Sequence, residues 1–147
     1  MEIVTDAAVL HLKSRHLHIG VEGVTAQWKK LAEEMRQYVQ QDGVGGLAAV
    51  QVGHKVRMIA FKDDEGANII VNPKIVKAHG HQFSEEGCLS IPGKVFKTKR
   101  PEIVKVTGFN IIGMPMIVRG KDLLAAILCH EIDHLEGILI SDIGREV

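Results

Sequence analysis

Two histidines and a glutamate in the last quarter of the chain have a spacing that could bind a metal ion. His130 and His134 belong to an H-E-x-x-H motif at residues 130–134, and on a helix they would lie one turn apart on the same side. Two imidazoles at that spacing can bind one divalent metal ion. Glu131 would lie close enough to take a proton from a water on the metal without binding the metal itself. The motif therefore predicts metal-assisted hydrolysis with Glu131 as the general base.

Two imidazoles do not complete such a site, so a third ligand is needed. Metzincins place a third histidine six residues after the second one, but this chain has Ile140 there, and the remaining residues after His134 offer no convincing ligand. We therefore expect the ligand upstream, where Cys88 is the best candidate. One thiolate and two neutral imidazoles form a tetrahedral site with one open position, as in catalytic zinc sites. A buried thiol with no metal role is the alternative for Cys88, and we expect Cys129 to be packed rather than a ligand.

Hydrophobic periodicity predicts the elements that must position these residues. A helix from about 122 to 136 carries the motif, and Gly137 follows it as a left-handed residue that ends the helix. Leu123, Ala126 and Ile127 form an apolar stripe that leads to the histidines, which predicts that the histidines are buried. A second amphipathic helix is predicted for residues 25–41. Strands are predicted for residues 56–61, 68–71, 74–79, 95–97, 102–109 and 114–118.

A glycine-rich segment, residues 43–53, lies between the first long helix and the first strand. Glycine lets the main chain approach a ligand closely, so we expect a tight loop that lines a cleft. A flexible hinge is the alternative, but it does not explain the small apolar residues that follow. No Gly-Lys-Ser/Thr sequence closes the segment, which excludes a phosphate-binding loop. Gln51 is its one polar side chain, and its amide NH₂ could donate to a substrate oxygen.

Size and composition limit the possible functions. The 147 residues suit a single domain, residues 1–147, and the 18 basic and 18 acidic residues balance. No basic stripe is interleaved with aromatic residues, so the sequence gives no support for nucleic-acid binding. No signal peptide and no membrane-spanning segment are visible. We expect a cytoplasmic monomer in which metal binding or burial of the two cysteines is favoured over a disulfide.

Three short motifs, taken together and in this order, resemble the peptide deformylase family. They are Gly45-Gly46-Leu47-Ala48-Ala49-Val50-Gln51, Glu86-Gly87-Cys88-Leu89-Ser90 and the H-E-x-x-H motif of residues 130–134. The similarity covers roughly residues 24–142. It implies an α+β fold, a small single domain with antiparallel or mixed sheets around a central helix that carries H-E-x-x-H. It also implies removal of the N-formyl group from N-formylmethionine at the start of nascent polypeptides.

The resemblance assigns roles to individual residues. Cys88, His130 and His134 would bind one divalent metal ion, Fe²⁺ by similarity to the family, with Zn²⁺, Ni²⁺ or Co²⁺ able to replace it. Glu131 would be the acid and base, while Gln51 and the backbone N–H of Leu89 would hold the formyl oxygen. Residues expected to contact the peptide or its methionine side chain are Gly45, Gly46, Leu47, Gly87, Leu123, Ala126 and Ile127.

Some features depart from the family pattern or leave alternatives open. The first motif has one extra glycine, and the chain lacks the longer C-terminal helix of many bacterial members, which implies a shortened variant and weakens the expectation of ribosome docking through a tail. Arg100 is expected to pair with Glu86 and steady the Cys88 loop. The alternatives to deformylation are a metallopeptidase of another specificity and a metal-binding module without catalytic activity.

Overall fold

Two antiparallel sheets form the framework of the computed structural model, which describes residues 1–147. Every strand pair within them is antiparallel. The larger sheet has the spatial order β1 (Gly46–Ala48), β2 (Met58–Asp63), β3 (Gly66–His79), β6 (Ile103–Phe109) and β7 (Pro115–Lys121). The smaller sheet consists of β4 (Gln82–Cys88), β5 (Ile91–Arg100) and β8 (Arg145–Glu146).

Two long helices agree closely with the hydrophobic periodicity. The helices are α1 (Ala7–Leu10), α2 (Ala26–Val39), α3 (Leu123–Leu135) and α4 (Ile140–Ile143), with a short 3₁₀ helix at Ala49–Val52. The predicted bounds of α2 and α3 are confirmed to within two residues at each end. No helix is both long and apolar enough to cross a membrane.

Helices pack on both sides of the larger sheet, α3 on one side and α2 on part of the other, and alternate residues of each strand point to opposite sides. Ile59 and Phe61 of β2 pack with Leu128 of α3 on one face. Met58 and Ala60 pack with Met35 of α2 on the other face. Each side of the sheet thus has its own apolar cluster, and α3 packs across one side. The fold is the α+β fold expected from the sequence.

The prediction of two separate strands at 68–71 and 74–79 is wrong, since both belong to the single long strand β3. Asn72 interrupts its ladder with a positive φ of 51°, and the register shifts between Val71 and Lys74. The Asn72 side chain accepts a hydrogen bond from the Leu17 N–H and donates one to the Leu17 carbonyl, both at 2.9 Å. These bonds hold the irregularity in place while the strand continues beyond it.

The carboxyl end of α3 is anchored by residues from three segments. Gly137 adopts the expected left-handed conformation with φ of 74°, and a Cβ there would lie 2.4 Å from the His11 carbonyl oxygen. The buried Arg57 side chain donates to the Leu135 carbonyl at 3.1 Å and to the Glu136 carboxylate at 3.0 Å. These contacts fix the last turn of α3, where His134 lies.

Replacing Asn72 should separate the contribution of its hydrogen bonds from that of its backbone conformation. Asn72→Ala removes two hydrogen bonds, each worth about 1 kcal/mol. It also places alanine at a positive φ without a polar side chain that could compensate, which costs about 1 kcal/mol more. We expect urea denaturation to show a loss of about 3 kcal/mol for Asn72→Ala and about 2 kcal/mol for Asn72→Gly. Equal losses for the two variants would contradict the role given to the backbone conformation.

Candidate metal centre and active site

The three predicted metal ligands come together at one place. Cys88 lies at the end of β4, where a register shift between Glu86 and Cys88 interrupts the ladder with β5. The two histidines project from α3 and are buried. The Cys88 Sγ atom lies 3.4 Å from His134 Nε2, and one ligand atom from each of the three residues lies within 4.8 Å of the others. The group therefore has the donor set and spacing of a metal centre.

The geometry of this group fits a divalent metal ion. With metal–sulfur and metal–nitrogen bonds of about 2.3 and 2.05 Å, a tetrahedral ion separates its sulfur and nitrogen ligands by about 3.5 Å, close to the 3.4 Å between Cys88 Sγ and His134 Nε2. His130 Nδ1 lies 2.9 Å from Glu86 Oε1. A carboxylate that accepts from one ring nitrogen leaves the other free for a metal. No fourth His, Cys, Asp or Glu joins the group, so a tetrahedral ion held by these three residues would keep one position open.

Glu86 connects the metal centre to an ion pair inside the protein. Its carboxylate accepts two hydrogen bonds from Arg100, at 2.7 and 2.9 Å, in addition to its contact with His130. Arg100 also reaches Asp133 on α3 at 2.6 Å. Burial opposes ionisation of Glu86, but Arg100 and His130 hold the pKa of this carboxyl far below its usual 4.5. The predicted pairing of Arg100 with Glu86 is confirmed, and it links β4, β5 and α3.

The two histidines have different electrostatic environments. Burial, reinforced by the nearby His130, lowers the pKa of His134 to about 3, so its ring is neutral and able to bind a metal. Burial also disfavours charge on His130, but the carboxylates of Glu131 and Glu86 and the thiol of Cys88 outweigh that effect and raise the pKa of His130 to about 10. A histidine with this pKa carries a proton on both ring nitrogens at neutral pH, whereas a metal ion binds the neutral imidazole. Binding of a metal ion would therefore release a proton from His130.

Glu131 lies beside the metal centre in a site with almost no solvent contact. Its Oε1 atom has no hydrogen-bond partner within the chain, and burial raises the pKa of its carboxyl to about 7. A carboxyl with a pKa near neutrality can both accept and return a proton. Gly46 on β1 packs directly against it, because a Cβ at Gly46 would lie 2.7 Å from Glu131 Oε2.

Gln51 is held with its NH₂ group towards the Cys88 loop. Its Oε1 accepts a hydrogen bond from the Ala48 N–H at 3.0 Å, which fixes the orientation of the amide. Its Nε2 lies 3.2 Å from Ser90 Oγ and 3.5 Å from Cys88 Sγ. The backbone N–H of Leu89 donates no hydrogen bond within the chain. Two donors thus flank the metal centre on the side of β4.

A cleft of about 540 Å³ opens onto these residues. It is bounded by the glycine segment before β1, by the β4–β5 hairpin and by the exposed side of α3. Leu47 was expected to contact the substrate but does not line the cleft. Its side chain is fully buried in the apolar cluster that contains Met35 of α2, so only its backbone can contact a substrate. The residues expected from the sequence that line the cleft are Gly45, Gly46, Gln51, Gly87, Cys88, Leu89, Leu123, Ala126, Ile127, His130 and Glu131.

Sequence reasoning missed several residues that hold the site together. It paired Glu86 with Arg100 but did not assign Glu86 to His130, and it gave no role to Ser90 or Asp133. The position of Glu86, two residues before Cys88, is the feature of the sequence that could have indicated its contact with the site. The Cys88 loop expected from the sequence is the end of β4 and the turn of the β4–β5 hairpin.

A candidate Cys/His₂ metal site beside a buried carboxylate, in a cleft of an α+β fold, has the features of a metal-dependent hydrolase. The family model described as polypeptide deformylase matches residues 1–146. The chain belongs to the peptide deformylase family, and its reaction is the metal-dependent hydrolysis that removes the N-formyl group from nascent peptides.

Individual proteins show how close the similarity is. The peptide deformylase of Alkaliphilus metalliredigens is 44% identical over 138 residues, which cover 93% of this chain and 90% of that protein. Among solved structures, Arabidopsis thaliana peptide deformylase 1B bound to an inhibitor gives a TM-score of 0.87 at 34% identity, covering 97% of this chain and 81% of that one. The class I type b enzyme of Acinetobacter baumannii gives 0.88 at 28% identity, with 97% of both chains covered.

Enlarging Gly46 should disturb Glu131 without removing a metal ligand. A methyl group in Gly46→Ala would lie 2.7 Å from Glu131 Oε2 and 2.8 Å from its Cγ, so the Glu131 side chain would have to shift from its position. We expect kcat for formate release to fall by one to two orders of magnitude, with metal content unchanged. Gly45→Ala is the matched control, because its Cβ would lie 3.3 Å from the flexible end of Ile127. Equal activities of the two variants would show that Gly46 does not position Glu131.

Acid titration should reveal the ion pair formed by Glu86. Because its pKa in the folded protein lies below the usual 4.5, its contribution to stability is complete above about pH 4.5 and is lost as the pH falls further. Between about pH 4.5 and pH 3, the free energy of unfolding of the metal-free protein should fall more steeply than that of Glu86→Gln, by up to about 1.4 kcal/mol per pH unit. The exposed neighbour Glu85 provides the control, since Glu85→Gln should leave the slope of the wild type unchanged.

Proposed function

We propose that Cys88, His130 and His134 bind the catalytic metal ion and that Glu131 moves the proton during hydrolysis of the formyl group. The observation that carries the proposal is the buried, unpartnered Glu131 carboxylate beside a three-residue donor set with one position open. A divalent ion bound there would act as a Lewis acid and lower the pKa of a water bound to it.

The chain's own residues supply the remaining chemistry. Glu131 accepts a proton from the water that attacks the formyl carbon, and it returns that proton to the methionine nitrogen as the C–N bond breaks. The products are formate and a free amino terminus. The pKa of Glu131, about 7, suits both steps near neutral pH.

Two donors would stabilise the negative charge that develops on the formyl oxygen. Gln51 Nε2 is directed towards this region by the bond between its Oε1 and the Ala48 N–H, and the Leu89 N–H is not used elsewhere in the chain. Preorganised donors of this type are each worth about 3–4 kcal/mol in the transition state.

The cleft would hold the peptide in an extended conformation. Because β1 is an edge strand, its free backbone groups near Gly46 can pair with a substrate by strand addition, and Gly87 of β4 lines the opposite side. Leu123, Ala126 and Ile127, which share one side of α3 with His130, would form the pocket for the methionine side chain. Formyl is the smallest acyl group, so a narrow space beside the metal would exclude acetyl.

The broader properties follow from the same proposal. Residues 1–147 would act as one catalytic domain, as a cytoplasmic monomer that meets its substrates while they emerge from the ribosome. Thiolate and imidazole ligands suit several divalent ions. We propose Fe²⁺ as the native metal, with Zn²⁺, Ni²⁺ or Co²⁺ able to replace it.

Replacing Glu131 by glutamine tests the proposal directly. Glu131→Gln keeps the shape of the side chain but cannot accept a proton, so kcat/KM for formate release from formyl-Met-Ala should fall by about 10²–10⁴-fold while one metal ion per chain is retained. Glu34→Gln, on the exposed side of α2 and outside the cleft, should keep full activity. Retention of activity by Glu131→Gln would contradict its role, and cleavage of internal peptide bonds by the wild type would indicate a different specificity.

A further inference from the structure

Cations from three neighbouring strands form a row on the outer side of the larger sheet. Lys77 of β3 lies opposite Lys105 of β6, and Lys105 lies opposite Arg119 of β7. Lys74 and Lys121 lie to either side of this row on β3 and β7. We call these five residues the cationic face.

This face is open because the helix on that side covers only part of the sheet. Val104 and Val106 of β6 point towards α3 and are buried, so Lys105 between them points to the opposite side. On that side the apolar cluster that contains α2 covers β1, β2 and the first half of β3, and it reaches β6 at Phe109, the last residue of that strand. The rest of β6, β7 and the second half of β3 lie outside this cluster.

No carboxylate neutralises the cationic face. None of its five members takes part in an ion pair within 4.0 Å. The nearest acidic residues along the strands, Glu102 and Asp122, lie beyond the row, at the start of β6 and just after β7. Like charges directly opposite each other on adjacent strands destabilise a sheet. The chain as a whole has no net charge, so this arrangement is a local concentration of positive charge with a cost to stability.

We propose that the cationic face binds the phosphate backbone of folded RNA. Cations held at strand spacing can neutralise several phosphates without reading sequence. The face contains no aromatic side chain, so it lacks the stacking surfaces of single-strand binders and the aromatic anchors of membrane surfaces. Nascent polypeptides are attached to RNA-rich particles, and a weak contact of this kind would keep the enzyme near its substrates.

The sequence conceals this face because its members are spread from residue 74 to residue 121. Strand pairing alone brings them together. Since none of the five lines the catalytic cleft, the proposal is independent of the catalytic roles given above. Failure of RNA binding would leave those roles unaffected.

Salt dependence of binding to an RNA hairpin tests the proposal. Fluorescence anisotropy with the full chain in 50–200 mM KCl should give a slope of log K against log[salt] of about −4, as expected for about five phosphate contacts. The variant Lys77→Gln/Arg119→Gln should bind more weakly and reduce the magnitude of the slope by about 2. Its stability and its formate release from formyl-Met-Ala should not fall.

A matched variant controls for net charge. Lys13→Gln/Lys55→Gln removes the same charge from the segments near the carboxyl end of α3, and it should leave the slope and the affinity unchanged. Equal weakening in the two double variants would overturn the proposal, because it would show a general charge effect. Absence of RNA binding, or equally tight binding to anionic phosphatidylglycerol vesicles, would overturn it as well.

Discussion

The Glu86 carboxylate is the point at which the two halves of the metal centre are held together. It accepts two hydrogen bonds from Arg100 on β5 and contacts His130 on α3, while Cys88 follows it on the same strand. Cys88 belongs to the smaller sheet, and the two histidines lie on a helix that packs on the larger one. This carboxylate joins β4 to β5 and α3 beside the candidate ligands, where Cys88 also contacts His134 and Arg100 also contacts Asp133. Removing one partner of such a pair leaves an uncompensated buried charge, which costs about 3–5 kcal/mol.

Burial gives neighbouring ionisable groups on α3 different properties. His134 is kept neutral by exclusion from water, and Glu131 is kept near the midpoint of its titration by the same cause. Glu86, at a similar depth, stays ionised because Arg100 compensates for its burial. The backbone at Gly46 completes this environment by closing over Glu131 where no side chain would fit. The charge of each of these buried groups is thus set by its neighbours rather than by residue type.

The sequence predicted the features that depend on local patterns. Apolar periodicity located α2 and α3 closely, and the spacing of His130 and His134 predicted their shared orientation. The pairing of Glu86 with Arg100 was predicted, but other features that depend on pairing between distant segments were missed. Asn72 and Pro73 were interpreted as the end of a strand because the bonds from Asn72 to Leu17 are not visible in the sequence. The inward direction of Leu47 and the juxtaposition of Lys77, Lys105 and Arg119 likewise depend on sheet register, which is set by tertiary packing.

X-ray absorption spectroscopy of the anaerobically prepared, metal-loaded protein measures the proposed ligand set. With zinc bound, we predict one sulfur at about 2.3 Å and two imidazole nitrogens at about 2.0–2.1 Å, together with one light atom from solvent. We also predict that Cys88→Ser removes the sulfur contribution. A spectrum with two sulfur ligands, with no sulfur, or with a sulfur that persists in Cys88→Ser would contradict it.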